Sequence, residues 1–372
     1  MKKPKKNYWE ERSRMSNTPK LRFPQFSGEW EEKKLGECLT LLYGKDWKDK
    51  SSTKKLYPVL GTGGVISYID EFIYDKPCVL IGRKGSINNP VFIDKPFWTV
   101  DTQFYSEIHE GYSPKFLYYI FCTENWSKHD ESTGVPSLSA KNVENTHKHI
   151  PSLPEQQKIA DFLSNVDSII TAETKILNTL QKKKKALMQK LFTRQLRFKS
   201  DDGKDFPAWE EKKLGECVIS ISSGKNKKKN SAGNFPVYGS MGIIGYSEQY
   251  VYNKDCILVA RVGANAGTLH IAKGKYDVSD NTLIIELNEN ELLSFYYFLL
   301  VNINLNKLNY GTGQPLVTSG MLKNIDIQIP CKAEQQKIAD CLSSMDSLIQ
   351  TQQKVVTTWQ QRKKALLQQM FI

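Results

Sequence analysis

The string WEEKKLGEC at residues 30–38 recurs at residues 209–217, 179 positions further on. At the same offset EQQKIADFLSNVDSII (155–170) returns as EQQKIADCLSSMDSLI (334–349), and KKALMQKLF (184–192) as KKALLQQMF (363–371). Nearly the whole chain is one unit written twice. This constrains the fold more than any other feature: what one half builds, the other builds again, giving two similar surfaces on one polypeptide. The 372 residues leave room for two domains of ordinary size, each with its own core.

Each copy divides into a globular part and a helix. The divisions fall at a basic tail (1–20), a first domain (21–150), a first helix (151–195), a second domain (196–329) and a second helix (330–372). In the globular parts YPVLGTGGVISYID (57–70) matches FPVYGSMGIIGYSE (235–248), and KPCVLIGRKG (76–85) matches KDCILVARVG (254–263). There the offset is 178, and it returns to 179 at Asp101 and Asp280, so one residue shifts between loops while the strands stay aligned. Short apolar clusters separated by Gly, Asn and Asp predict strands and turns. FLYYIF (116–121) and FYYFLL (295–300) read as short buried helices. The fold class is α/β (α+β): two pseudo-symmetric domains, each followed by a long α-helix. The tail before Leu21 has no copy.

The helices are plain in the spacing. Glu155 and Gln156 open the first, whose apolar residues fall at Ile159, Leu163, Val166, Ile170, Leu177 and Leu180. Glu334 and Gln335 open the second, with Ile338, Leu342, Met345, Ile349, Val356 and Trp359. Steps of three and four put these on one face. At ~1.5 Å per residue each helix spans roughly 55–60 Å. A lone helix that long cannot bury its seam on a small domain, so the two are expected to pack as an antiparallel coiled coil. Polar interruptions at Glu173 with Gln352, and Lys184 with Lys363, can fix its register.

Charge narrows the partners. The chain carries 52 Lys and Arg against 40 Asp and Glu, a net +12 with a pI near 9.1, which suits a polyanion such as nucleic acid. Seven cysteines include no C-x-x-C pair and sit in apolar text, Cys38 repeating as Cys217 and Cys78 as Cys256. Reduced buried thiols and a cytoplasmic setting follow. The start MKKPKKNYWEERSR lacks a signal-type apolar run, and no stretch approaches the ~18 apolar residues of a membrane span.

Catalytic signatures are missing: no G-x-x-x-x-G-K-[ST] loop, no G-x-G-x-x-G, no N-P-P-[YF], no G-x-S-x-G. His147 and His149 lie two apart on a strand, but their repeat mates are Asp326 and Gln328, which reads as a solvated face and not a metal site.

The duplication sorts candidate nucleic-acid contacts. Positions alike in both copies do shared work, such as folding or holding phosphates; positions that differ carry differences in sequence read. Arg83 and Arg261 are shared, each before a Gly turn, and serve either a phosphate, a guanine edge or a structural ion pair. Beside them Lys84 faces Val262, Ser86 faces Ala264 and Ile87 faces Asn265, with Asn88 next in line. The greatest divergence lies in 44–55, with Lys45, Lys48 and Lys54, against 223–233, with Lys225, Lys227 and Lys228. A third pair of loops, 132–142 and 311–321, contributes Thr133, Thr312 and Gln314 ahead of a short helix whose N–H groups can meet a phosphate.

On the residues alone two other classes stay open. One is a nuclease or methyltransferase with an unrecognised active site, for which Asp101 and Asp280 are a shared acid. The other is a coiled-coil assembly protein or RNA binder. For that, Tyr68 and Tyr246 would be the stacking platforms, although both lie in apolar strand text and are expected to be partly buried.

A TG…P loop, an I-x-I-P or comparable strand, then PEQQKIADFL (154–163) and AEQQKIADCL (333–342), all occurring twice in order, resembles the specificity (S) subunit of type I restriction–modification systems. The likeness runs from about residue 21 to the end. It implies two target recognition domains that read the halves of a bipartite, asymmetric sequence in double-stranded DNA, with the helices as spacers setting the gap. It further implies two methyltransferase (M) subunits docked on the helical pair and two restriction or motor (R) subunits joined through them. Catalysis, S-adenosylmethionine, ATP and Mg²⁺ would belong to those partners, and the chain itself would hold no cofactor or metal.

Overall fold

The segments CVLIG (78–82) and CILVA (256–260) carry no charged side chain, so strands made from them have nothing to offer water on either face. In the computed structural model, which describes residues 17–226, 233–308 and 315–372, both are strands buried along their whole length. Each stands near the centre of one of two units. One unit comprises the chain up to Thr174 together with Val355–Ile372, and the other comprises Lys175–Lys354.

The first unit runs β1 (Glu31–Lys34), α1 (Leu35–Cys38), β2 (Leu39–Tyr43), β3 (Tyr57–Gly61), β4 (Gly64–Ile69), β5 (Cys78–Gly82) and β6 (Val91–Ile93). It continues through β7 (Trp98–Thr99), β8 (Gln103–Ile108), α2 (Pro114–Thr123), α3 (Ala140–Glu144), β9 (His147–Ile150) and the start of α4 (Leu153–Phe192). The strands form sheets ordered β2-β8-β5-β6, β4-β3-β7 and β1-β9. Alternation divides β5 between two cores: Val79 and Ile81 pack with Phe104, Phe116 and Leu163, while Cys78 and Leu80 pack with Phe97 and Tyr105. The short helix expected over 116–121 is α2, started by Pro114 at its first turn and by Ser113 Oγ, which accepts the Phe116 N–H at 3.3 Å.

The second unit repeats the plan with β10 (Glu210–Lys213), β11 (Val218–Ser223), β12 (Phe235–Gly239), β13 (Gly242–Ser247), β14 (Tyr252–Asn253), β15 (Cys256–Ala260) and β16 (Leu269–Ala272). There follow β17 (Lys275–Val278), β18 (Thr282–Leu287), α5 (Leu293–Ile303), α6 (Ser319–Lys323), β19 (Asp326–Ile329) and α7 (Lys332–Met370). Its sheets are β11-β18-β15-β16, β13-β12-β17-β14 and β10-β19. The strands do not stay wholly in step with the repeat. A bulge between Val218 and Ser220 adds one residue to β11, so Ser223 pairs beside Leu283 as Tyr43 pairs beside Phe104, and the local offset becomes 180.

Both long helices are shared between the units. In the first, Ile159, Ala160 and Leu163 of α4 join a core with Met370 of α7, and the Lys363 ammonium meets Asp167 at 2.5 Å. In the second, Leu191 of α4 joins a core with Ile338, Ala339 and Leu342 of α7, and Lys184 meets Asp346 at 2.5 Å. Within each unit, then, the part that begins one helix lies beside the part that ends the other. The lysines that interrupt the seam at 184 and 363 are half-buried and ion-paired.

Candidate nucleic-acid interface

In the first unit three loops converge on the turn 99–103. The first leaves β2 at Gly44, where a Cβ would lie 2.1 Å from the Val100 carbonyl oxygen, so only glycine fits. The Lys45 N–H then bonds Thr99 O at 2.9 Å, and the Trp98 indole bonds Lys45 O at 2.9 Å. The second loop follows β5: the N–H groups of Arg83 and Lys84 both reach Thr102 O, at 2.8 and 3.1 Å. The Arg83 guanidinium donates to Asp101 O at 2.8 Å and lies over the Tyr43 ring at 5.5 Å. The third loop is held to the second, Gly85 N–H to Pro136 O at 2.8 Å and Leu138 N–H to Arg83 O at 2.9 Å.

Lys45, Arg83, Lys84 and Ser86 are therefore brought to one place, Lys45, Lys84 and Ser86 being exposed. Lys48 and Lys54 sit further along the first loop, both exposed. That loop is pinned in its middle by Trp47, packed with Val59, Ile69 and Trp98, and by Lys50, which lies 5.3 Å over the Trp98 ring and pairs with Glu71. Its far end, 51–55, is gathered around the Asp70 carboxylate.

The second unit has the same arrangement. Gly224 is packed against Val278 and Ser279 as Gly44 is against Thr99 and Val100. The Arg261 N–H bonds Asn281 O at 3.0 Å, its guanidinium bonds Ser223 Oγ at 3.1 Å, Gly263 N–H reaches Pro315 O at 3.0 Å, and Val317 N–H reaches Arg261 O at 2.8 Å. Neither Arg83 nor Arg261 makes a salt bridge to a carboxylate among the described residues. Lys225 is exposed and Asn265 half-buried. Lys227, Lys228, Thr312 and Gln314 lie outside the described residues.

Several expectations need correction. Ile87 does not face Asn265: it is a buried core residue, and its counterpart is the equally buried Ala266, because the second turn carries one extra residue after Gly263. Asn88 is engaged internally, its carbonyl oxygen accepting the Trp126 N–H at 2.8 Å and its amide reaching Asn125 Oδ1 at 3.3 Å. Thr133, exposed, lies ahead of a short helix as expected, but it does not cap that helix. The next helix, α3, starts at its cap Ser139, which already takes the Asn142 N–H, and Thr318 caps α6 in the same way through Met321. Tyr68 and Tyr246 are not buried in their strands but are 45% and 44% exposed.

Glu155, Gln156, Glu334 and Gln335 are also not available to a partner, being 2%, 2%, 0% and 5% exposed. Arg22 holds Glu155 with two bonds, at 2.7 and 2.8 Å, and Arg197 holds Glu334 at 3.0 and 2.7 Å. Gln156 accepts the Ser113 N–H at 2.9 Å and donates to Pro151 O; Gln335 donates to Pro330 O. These side chains lock each helix onto its own domain. The two arginines escaped the sequence reading, although LRF at 21–23 does recur at 196–198.

The cysteines Cys38 and Cys78 are not set up as nucleophiles. Burial pushes the Cys78 thiol up to about 12 and the Cys38 thiol to about 11, away from the reactive thiolate. All seven cysteines are free. Among the described residues no three His, Cys, Asp or Glu side chains cluster to hold a metal ion, and His147 instead meets Glu32 at 3.3 Å across β1 and β9. No helix of the described residues is long and apolar enough to cross a membrane.

Among the described residues, the same Gly, Arg and loop-to-loop contacts occur in both units of one chain. The type I restriction modification DNA specificity domain matches residues 27–182 and again 208–358. The chain belongs to that family. It is 27% identical to the type I restriction enzyme MjaVIII specificity subunit of Methanocaldococcus jannaschii, over 93% of this chain and 92% of that one. It is 22% identical to the EcoprrI specificity subunit of Escherichia coli, over 74% and 73%. Its fold is similar to the crystal structure of the S subunit from M. genitalium, with a TM-score of 0.69 over 95% of this chain and 99% of that one, at 18% identity.

Proposed function

We propose that the chain reads a bipartite, asymmetric DNA target, one half through each domain, as the non-catalytic recognition subunit of a type I restriction–modification complex. The observation that carries this is the pair of equivalent loop clusters. Both are built on a Gly packed against a turn and an Arg held beside it, yet their outer residues differ. Two like frameworks with unlike rims suit two different half-sites. The net charge of +12 supplies the general attraction to phosphate. Lys45, Lys48, Lys54, Arg83, Lys84, Ser86 and Thr133 serve one half; Lys225, Lys227, Lys228, Arg261, Asn265, Thr312 and Gln314 serve the other.

The helices serve as spacers, and two methyltransferase subunits dock along them, with two restriction subunits joined through these. An apolar groove of the first unit, between Phe162, Val166 and Ile169 of α4 and Trp359 and Leu366 of α7, supports such docking. S-adenosylmethionine, ATP and Mg²⁺ belong to those partners, and the complex works in the cytoplasm.

The test is to co-express the chain with its cognate methyltransferase and map methylated adenines across a genome. A split motif with a constant gap is the expected result. Methylation without a bipartite motif, or methylation by this chain alone, would overturn the reading.

A further inference from the structure

Two loops of the first domain are each gathered around a single carboxylate. Asp70 accepts the Ser51 hydroxyl at 2.8 Å and the N–H groups of Thr53, Lys54 and Lys55 at 3.1, 2.8 and 2.7 Å. Three successive N–H groups converge because Lys55 takes a left-handed φ of 54°. Such a nest is an anion site, and here its anion is internal. Asp130 does the same for the third loop, accepting the Ser132 N–H and hydroxyl at 3.0 and 2.8 Å and the Ser137 N–H at 2.9 Å. Ser137 in turn is bridged to Lys84, and Pro136 to Gly85. Neither carboxylate is found in an ion pair with a described Lys or Arg, so both are spent on loop backbone. At the repeat offsets of 178 and 179 stand Glu248 and Asn309, a longer side chain and an uncharged one.

We propose that Asp70 and Asp130 are positioning residues for the first half-site. Each fixes the backbone of one reading loop, 51–55 or 132–137, before DNA arrives. The inference rests on the chain's being a DNA-recognition subunit. Its physical basis is entropy. A loop of Ser, Thr and Lys has many conformations, and ordering it during binding costs affinity that a fixed loop keeps. Base discrimination depends on that geometry far more than attraction to phosphate does. Asp70→Asn keeps size but turns one of two accepting oxygens into a donor facing other donors; at Asp130, where every bond falls on Oδ1, Asp130→Ala removes the acceptor instead.

The experiment uses the complex with its methyltransferase. Binding is measured to duplexes carrying single base-pair changes in either half, over a range of salt. For Asp70→Asn and for Asp130→Ala we expect discrimination in one half-site to fall about tenfold, a typical single-mismatch effect. Discrimination in the other half should be unchanged, and so should the salt dependence, because no cation is removed. Ser51→Ala and Ser132→Ala, which each remove one donor, should give a smaller loss in the same half with a wild-type melting temperature. Equal losses in both halves would mean general damage and overturn the proposal, as would full discrimination in both Asp70→Asn and Asp130→Ala. If the unaltered complex discriminates in neither half, the DNA-recognition reading itself falls and this inference with it.

Discussion

Arg22 and Glu155 form the most enclosed ion pair of the first unit, and Arg197 with Glu334 the same pair in the second. Removing one partner from such a pair costs more than the pair contributes, because the other charge is left without compensation. The cost is unequal here, since Arg22 is 16% exposed and can turn to water while Glu155, at 2%, cannot. Arg22→Ala should therefore lose about 3–5 kcal/mol. Glu155→Ala should lose about 2 kcal/mol, nearer the value of a charged hydrogen bond. Urea unfolding of the two variants checks the order, and a larger loss for Glu155→Ala would contradict it. The helix-side Glu was legible in the repeated EQQKIAD. Its Arg was not, because four extra residues separate Phe198 from Trp209 compared with Phe23 and Trp30, which moves LRF to an offset of 175. A reading tied to one offset passes over a partner that has shifted.

Among elements, the loops show what local pattern can and cannot supply. Apolar clusters located the strands, and periodicity located both long helices, because burial dictates those patterns directly. The one-residue bulge in β11 left no mark in composition, so residues beyond it were matched one position out. Gly44 and Gly224 carry the register instead: each meets backbone oxygen that cannot move aside. Gly44→Ala should cost about 3 kcal/mol, at the upper end for overpacking, read as a shifted urea midpoint. The loop carboxylates make a second prediction. Burial pushes Asp70 upward, but the Ser51 hydroxyl and the Lys55, Lys54 and Thr53 N–H groups outweigh it. Asp130 is lowered first by the Ser137 N–H. Both lie below the ordinary carboxylate value, so their contribution is complete above a pH of about 3.9. It is lost as pH falls through the depressed folded value. Amide resonances of Thr53, Lys54, Lys55 and Ser137 should hold steady from neutral pH down to about 4 and shift together below it; loss of order at pH 6 would contradict the assignment.

At the scale of the molecule, similar plans with dissimilar rims predict separable function. Exchanging residues 21–150 for the matching domain of a relative should change one half of the methylated motif and leave the other intact. A change in both halves would mean that the domains do not read independently. The sequence made two domains and two helices legible because the repeat displays them. It did not disclose that each helix belongs to both units, since a periodic seam states that a face is covered without saying by what. In the first unit Met370 is 2% exposed, Phe371 lies 5.4 Å from the Phe116 ring, and Leu21 N–H bonds Gln369 O at 2.9 Å. Deleting 366–372 should therefore destabilise the first unit by about 4 kcal/mol, in the range for losing large core side chains. Hydrogen exchange should show the second unit unaffected.

The same seam inverts the order of manufacture. Domains usually complete themselves as they leave the ribosome, amino-terminal part first, at about 5–20 residues per second. Here Trp30 and Phe116 wait for Phe371, which is translated after the whole of the second unit. The second unit, drawn from Lys175–Lys354, has all its parts while the first still lacks its closing turns. Of the two units, the one begun earlier is completed later, and until then its apolar floor is open to whatever the cell offers it.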